Sequence, residues 1–318
     1  MCKQKTIAKA IEFSGVGLHT GQSSTILIEP ADENYGIKFQ RIDLDNQPII
    51  PASIDLVVET QRSTTIEKNG VKIVTVEHLL SALYALGVNN ALIKIDGPEI
   101  PILDGSAKYF VLKIEEVGLK DQKEDVEFIS FEKSYSFSDP DTGSEILYVP
   151  GDQFIASVVL DYNNAVLGTQ YAELRSLSDY SSQISSCKTF VLLTELEKLA
   201  KANLIKGGDL ENAIVLIDRK DIKKSELNDL AYLLGKEDIE IKINGNVLNN
   251  CELQFFNEPA RHKLLDVIGD LALIGMPIKG HIITKKPGHK LNTSFAKKLK
   301  KAMKEQEKSP RNFDLTRK

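Results

Sequence analysis

The sequence has little of several residue types that mark specialised classes of protein. It contains no tryptophan, only three methionines, and three cysteines, Cys2, Cys187 and Cys251. An odd number of cysteines without metal-ligand spacing argues against a disulfide framework and predicts a reducing compartment. The net charge is −5, so the chain lacks the basic excess that is typical of nucleic-acid-binding proteins.

Long apolar runs are also missing. No uncharged run reaches the roughly 18 residues that a membrane-spanning helix needs. The N-terminal residues are not followed by the apolar core of a signal peptide. The sequence therefore predicts a cytoplasmic protein without a membrane span, although a lipid-like substrate can still enter a groove of such a protein.

The composition is that of an ordinary globular protein, with 318 residues, 42% hydrophobic and 27% charged. This length predicts two domains, each with its own core. The charged stretch 120–125 is the best linker candidate. We therefore expect a first domain over 1–124, a second over 125–304 and a polar, disordered tail over 305–318.

Each half of the chain follows the same order of predicted elements. Strands come first, then a helix that opens with a histidine and stops at a glycine, then another strand and a second helix. His78 to Gly87 and His262 to Gly275 occupy equivalent places. This order predicts an α+β fold with a distant internal duplication. The polar stretch 218–246 is expected to be a surface excursion, and residues 292–294 are expected to cap the last helix.

The stretch 261–270 separates into two faces when it is read as a helix at about 100° per residue. One arc is polar and carries His262, Lys263, Asp266 and Asp270, whereas the opposite side is apolar. A His and an Asp four residues apart stand one above the other, which is the geometry of half a zinc site. The alternative is a solvated helix face with an ordinary His–Asp pair.

Further histidines extend this pattern. His78 follows Glu77 at the start of a predicted helix, His289 lies on a Pro-Gly turn, and His19 lies among three glycines at 15–21. Three protein ligands and one open position are typical of catalytic zinc, and Glu77 can serve as a general base. A non-catalytic binding protein with structural histidines remains the competing interpretation, and His19 can simply bond to nearby backbone.

Six segments, in order along nearly the whole chain, resemble the UDP-3-O-acyl-N-acetylglucosamine deacetylase family, which comprises zinc amidases of lipid A synthesis. They are 15–21, 76–83, 95–101, 188–190, 261–270 and 288–292. The resemblance implies two similar domains, each a β-sheet with two α-helices, with the helices packed between the two outer sheets. It also implies an acylated UDP-sugar as the substrate.

The resemblance also implies a role for each matching residue. Zn²⁺, with Fe²⁺ as an alternative in the cell, would be bound by His78, His262 and Asp266. Glu77 would take a proton from the attacking water, and Thr189 would stabilise the oxyanion. His289 would give a proton to the leaving amine while Asp270 orients it.

Substrate contacts follow from the same motifs. Lys263, Phe190 and His19 would meet the substrate, and the apolar residues of 191–205 would form a passage for its acyl chain. We expect a monomer. Some members of the family are fused to a hydroxyacyl-carrier-protein dehydratase, and the C-terminal tail resembles the linker of such fusions. A zinc amidase for another N-acetyl sugar is the alternative enzyme.

Overall fold

The computed structural model describes residues 2–202, 205–233, 240–248 and 252–308. Its strands are β1 (Lys3–Ile7), β2 (Ile11–Val16), β3 (Ser23–Pro30), β4 (Ile37–Arg41), β5 (Ile49–Pro51), β6 (Val57–Glu59), β7 (Thr65–Lys68), β8 (Val71–Ile73), β9 (Ala91–Ile95), β10 (Leu119–Asp125), β11 (Tyr135–Asp139), β12 (Ser144–Val149), β13 (Phe154–Asp161), β14 (Thr169–Leu174), β15 (Phe190–Leu192), β16 (Ile214–Leu216), β17 (Ile243–Asn244), β18 (Val247–Leu248) and β19 (Gly280–Lys285). Its α-helices are α1 (Glu77–Ala85), α2 (Lys108–Val117), α3 (Tyr180–Gln183), α4 (Leu193–Lys201), α5 (Lys224–Leu233), α6 (Glu258–Ala272) and α7 (His289–Lys308).

Two five-stranded sheets have the same topology. The first has the order β2-β3-β9-β4-β5 and the second the order β11-β12-β19-β13-β14. In both, the last strand enters between the second and the third and pairs in parallel with the third, while the other neighbours are antiparallel. A helix precedes this last strand and another follows it, α1 and α2 in the first half and α6 and α7 in the second. The predicted α+β duplication is confirmed.

The four helices lie between the two sheets and share one core with them. α6 packs on α1, on α7 and on strands β13 and β14, and α2 packs on β2. Successive side chains of β3 point to opposite faces of the sheet, and Ile26 and Ile28, which point to the inner face, are fully buried. The apolar side of α6, including Leu264 and Ile268, is buried as its periodicity predicts.

Gly269 sets how closely α1 and α6 cross. A Cβ at this position would lie 2.1 Å from the main-chain oxygen of Glu77. Only glycine leaves room for the main chain of α1 at that distance. The close crossing brings the first turn of α1 level with the polar face of α6.

Each half carries an insertion between the fourth strand of its five-stranded sheet (β5 or β14) and the helix that precedes the last strand (α1 or α6). In the first half this is the three-stranded sheet β6-β7-β8, with the predicted Asn69-Gly70 hairpin. In the second half it contains the sheet β15-β16-β18-β17 and the helices α4 and α5. The stretch 218–246 is therefore more than a surface excursion, because Leu227 and Leu230 of α5 are buried in a separate hydrophobic cluster.

Three other expectations need correction. Residues 120–125 form most of β10, which pairs with β1, because alternate charged side chains of a strand can point to solvent. α7 begins at His289, so residues 292–294 lie inside it, and it continues to Lys308 because Ala302 remains buried against the core. Residues 309–318 and Cys251 lie outside the described residues. No helix within the described ranges is long and apolar enough to cross a membrane.

Candidate metal and acid–base site

The polar face of α6 is buried rather than solvated. His262, Asp266 and Asp270 are exposed by only 1%, 2% and 0%. Buried charged side chains occur almost only with partners. The solvated-face interpretation of this helix is therefore wrong, because each of these side chains contacts another polar group of the same site.

The helix crossing brings His78 of α1 against His262 and Asp266 of α6. His262 Nε2 lies 3.4 Å from Asp266 Oδ1, and His78 Nε2 lies 4.0 Å from the same oxygen. The three candidate ligand atoms all lie within 4.8 Å of one another. Two imidazoles and one carboxylate converging in this way form a potential mononuclear metal site.

The protonation of these groups suits a cation. His262 Nδ1 lies 3.0 Å from the carbonyl oxygen of Cys187, and a proton donated there leaves a lone pair on Nε2. Burial lowers the pKa of His262, and burial with the neighbouring His262 ring lowers that of His78 to about 3. Both rings are neutral near pH 7, as metal ligands must be.

Asp266 shows the clearest sign of a missing ligand. Burial opposes its charge, but Lys263 and the neighbouring histidines hold the pKa of its carboxyl well below the usual range. Lys263 Nζ donates to Oδ2 at 2.8 Å. The other oxygen, Oδ1, is buried and has no hydrogen-bond partner among the described residues. A buried carboxylate oxygen without a donor is costly, and a metal ion would satisfy it.

Glu77 and His289 form a second pair beside the three ligands. Glu77 Oε1 lies 3.8 Å from His289 Nε2, and its Oε2 accepts the backbone N–H of Thr64 at 3.1 Å. Burial raises the pKa of Glu77 to about 8, although the His289 charge opposes this. A divalent cation nearby would favour the carboxylate form.

His289 is held in the protonated state by Asp270. Its Nδ1 lies 3.0 Å from Asp270 Oδ2. Burial alone would lower the pKa of the ring, but the charge and the hydrogen bond of Asp270 raise it to about 9. Asp270 is not part of the cavity wall and acts from behind the ring. The site therefore contains a carboxyl group suited to accept a proton and an imidazolium suited to donate one.

These groups open into a cavity of about 400 Å³. The lining includes the metal-site and acid–base residues as a polar group. The apolar lining residues, called the apolar arm below, come mostly from the second insertion and are Leu18, Phe190, Val191, Leu196, Leu199, Ile205, Leu210, Ala213 and Val215. Two partly exposed residues of the lining, Arg62 and Glu195, form an ion pair between the first insertion and α4, with 2.7 Å between Arg62 Nη2 and Glu195 Oε1.

The remaining sequence-predicted residues also line this cavity. Thr189 uses its main-chain N–H and carbonyl in bonds to Gly105 and Ile214, each 2.8 Å, and its side chain borders the cavity. Lys263 Nζ lies 5.2 Å above the centre of the Phe190 ring. His19 Nε2 is buried and has no hydrogen-bond partner among the described residues.

Sequence reasoning missed four polar residues of this region. Thr64 and Asn292 bind Asp270, at 2.5 and 2.9 Å. Glu99 is buried and accepts the main-chain N–H groups of His19 and Thr20, so it fixes the glycine-rich loop at the cavity. Arg62 lines the cavity and pairs with Glu195. Glu99 and Asn292 lie in segments that the motifs single out, but no motif predicts these contacts, and none of the four follows from helical or strand periodicity.

A buried two-histidine, one-aspartate site beside a carboxyl–imidazole pair defines the class of metal-dependent hydrolases. Comparison with known sequences gives the family. The profile described as UDP-3-O-acyl N-acetylglycosamine deacetylase matches residues 4–230 and 233–301. The chain belongs to this family, and the resemblance inferred from the motifs is confirmed.

Individual relatives agree with this assignment. The chain is 45% identical over 317 residues to a protein of Bacteroides thetaiotaomicron named bifunctional enzyme LpxC/FabZ, covering 100% of this chain and 68% of that protein. It is 36% identical to the UDP-3-O-acyl-N-acetylglucosamine deacetylase of Myxococcus xanthus, with 93% and 86% covered. It is 35% identical to the protein of that name in Chlamydia pneumoniae, with 94% and 98% covered. The chain thus spans about two thirds of the bifunctional relative.

Proposed function

We propose that this protein hydrolyses the 2-acetamide of UDP-3-O-acyl-N-acetylglucosamine to the free amine and acetate, the committed step of lipid A biosynthesis. The observation that carries the proposal is the buried site itself: three metal-ligand side chains, a carboxyl–imidazole pair and an apolar arm open into one cavity. Family membership supports the substrate class. A non-catalytic binding protein would have no use for the proton donor and acceptor.

The metal in this proposal is Zn²⁺, with Fe²⁺ as the alternative in the cell. His78, His262 and Asp266 would hold it, since two histidines and one carboxylate are a donor set of catalytic zinc sites and Oδ1 of Asp266 has no hydrogen-bond partner among the described residues. A bound zinc ion polarises a carbonyl oxygen and lowers the pKa of a coordinated water to about 7. Lys263 would orient Asp266 through the 2.8 Å bond to its second oxygen.

Glu77 is the general base of the proposed reaction. The Thr64 N–H donates to Glu77 Oε2 at 3.1 Å. The other oxygen, Oε1, stays available to the cavity, 3.8 Å from His289 Nε2. That second oxygen removes a proton from the water that attacks the acetamide carbon. Burial keeps competing water away and makes the carboxylate a stronger base than an exposed glutamate.

His289 is the general acid. It stays protonated because Asp270 raises its pKa to about 9, so the ring can transfer its Nε2 proton to the departing amine nitrogen. The main-chain groups of Thr189 are already paired. Its hydroxyl would donate a hydrogen bond to the oxygen that becomes negative in the transition state. The free amine and acetate are the products.

The apolar arm would receive the acyl chain. Phe190 links this arm to the metal site, because the centre of its ring lies 6.3 Å from that of His262 and it lines the same cavity as Val191, Leu196, Leu199 and Ile205. Lys263 and His19 would contact polar groups of the sugar or the diphosphate. Residues 203 and 204 of this predicted passage lie outside the described residues.

The broader expectations remain proposals of the same kind. We propose a cytoplasmic monomer with a first domain over 1–124 and a second over 125–304; the tail expected over 305–318 is corrected at its start, because α7 continues to Lys308. The full-length protein is proposed to continue into a dehydratase, which is supported by three relatives named bifunctional enzyme LpxC/FabZ, of 42% to 45% identity.

The test measures acetate release from acylated UDP-N-acetylglucosamine and from the same sugar without the acyl chain. We expect turnover of the acylated substrate, a large loss of it with a chelator, and little reaction without the acyl chain. Leu199→Glu should raise KM for the acylated substrate, since it places a charge in the apolar arm. Leu112→Glu on α2, where the side chain is already 49% exposed, is the matched control. Equal turnover of both sugars would contradict an acyl passage and favour another N-acetyl sugar.

A further inference from the structure

Thr64 connects the two halves of the acid–base pair. It is fully buried and immediately precedes β7 in the first insertion. Its backbone N–H donates to Glu77 Oε2 at 3.1 Å, and its hydroxyl donates to Asp270 Oδ1 at 2.5 Å. One residue of the first half therefore binds both the carboxyl group proposed as base and the carboxylate that orients the proposed acid.

Asp270 is fixed by donors on both of its oxygens. Oδ1 accepts the Thr64 hydroxyl, and Oδ2 accepts His289 Nδ1 at 3.0 Å and Asn292 Nδ2 at 2.9 Å. A carboxylate held on one oxygen alone can still rotate about its Cβ–Cγ bond. The Thr64 hydroxyl adds the second point of attachment, so the plane of the carboxylate, and with it the His289 ring, takes one orientation.

The contacts form a closed cycle of four residues: Thr64, Glu77, His289 and Asp270. The Thr64 N–H donates to Glu77, and Glu77 Oε1 lies 3.8 Å from His289 Nε2. His289 Nδ1 contacts Asp270, and Asp270 accepts the Thr64 hydroxyl. This cycle of contacts includes residues of both halves of the chain. Displacement of any member alters the separation between the proton acceptor and the proton donor, and such separations strongly affect rates.

We propose that Thr64 is a positioning residue that aligns Glu77 and His289 as one unit through its N–H and its hydroxyl. This inference rests on the proposed function, because it assigns the two aligned groups the roles of base and acid. Thr64 itself is not among the residues that line the cavity. A valine of similar shape would fill the same buried space, so packing alone does not require the hydroxyl.

Thr64→Val tests the hydroxyl, because it removes only the bond to Asp270 and keeps the N–H that binds Glu77. Hydrogen bonds to charged groups are among the stronger ones, so we expect kcat to fall about tenfold to a hundredfold. KM and the metal content should stay near those of the unmodified protein. Thr64→Ser should restore most of kcat. Thr284→Val is the matched control, since that buried hydroxyl donates to the main-chain oxygen of Glu145 on β12, away from the site.

A double-mutant cycle with His289→Gln separates positioning from general damage. If Thr64 acts through His289, Thr64→Val should lower kcat less than about twofold in the His289→Gln background. An equal loss in both backgrounds would overturn the inference. Normal turnover of His289→Gln alone would instead contradict the proposed acid, which is a separate failure. Should Thr64→Val not fold, Thr64→Ala and Thr64→Ser, which differ only in the hydroxyl, replace it in the cycle.

Discussion

Replacing Asp270 by asparagine should move the alkaline limit of activity. The substitution keeps the size of the side chain but removes the charge that lies 3.0 Å from His289 Nδ1. Glu77 and Asp266 still face the ring and favour its charge, whereas burial opposes it. Without Asp270 we therefore expect the pKa of His289 to return from about 9 toward its ordinary 6.5.

The size of the effect follows from this change. A fall of about two units or more corresponds to roughly 3 kcal/mol of lost preference for the imidazolium. At pH 8, an imidazole with a pKa near 9 is mostly protonated, and one near 6.5 is protonated to about 3%. Because the reaction needs the protonated ring, kcat at pH 8 should fall about 30-fold. The loss should shrink as the pH is lowered toward 6.

The measurement is kcat and kcat/KM between pH 5.5 and 10 for both proteins. The unmodified protein should lose activity as the pH rises through about 9, and Asp270→Asn should lose it at clearly lower pH. Asp55→Asn is the control, since that exposed carboxylate forms an ion pair with Lys300 of α7 and is not part of the site. An unchanged alkaline limb in Asp270→Asn would refute the reasoning, because His289 would then not owe its charge to Asp270.

Two further predictions concern the metal and the helix crossing. Asp266→Ala should release most of the metal, whereas Glu77→Gln should retain about one equivalent and lose at least a hundredfold in turnover. Metal analysis and kinetics on the same samples check both variants. Metal loss from Glu77→Gln would contradict the separate roles of metal ligand and base. Gly269→Ala should lower the free energy of unfolding by about 3 kcal/mol, because the new Cβ would lie 2.1 Å from the Glu77 oxygen. Denaturant titration measures this, with Gly288→Ala as the control because nothing lies within 4 Å of its Cβ position; equal stability of the two variants would contradict the account of the crossing.

The duplicated fold and the polar face of α6, with His262 and Asp266, could be predicted because each leaves a pattern in the sequence. The polar face of α6 repeats every three to four residues, and the order of strands and helices occurs twice. Which histidine meets α6 is a different question. His78 and His262 are distant in sequence, so spacing alone could not join them, and the link came from resemblance to a family.

The contacts around Asp270 could not be predicted in the same way. Thr64 lies in a hairpin whose sequence reads only as strand, and its contact with Asp270 spans 206 positions. The sequence predicts Asn292 as a helix cap because asparagine is common there, yet it lies inside α7 and its amide donates to Asp270. Such contacts depend on the packing of one half against the other, which periodicity does not encode.

The most direct test of the account is reconstitution of the metal-free protein with Zn²⁺, followed by acetate release from the acylated nucleotide sugar. The account predicts that activity rises in proportion to added zinc and reaches a plateau near one equivalent per chain, since His78, His262 and Asp266 make one site. The same titration of Asp266→Ala should give little activity. Full turnover by the metal-free protein, or a rise with zinc that does not depend on Asp266, would contradict the central claim.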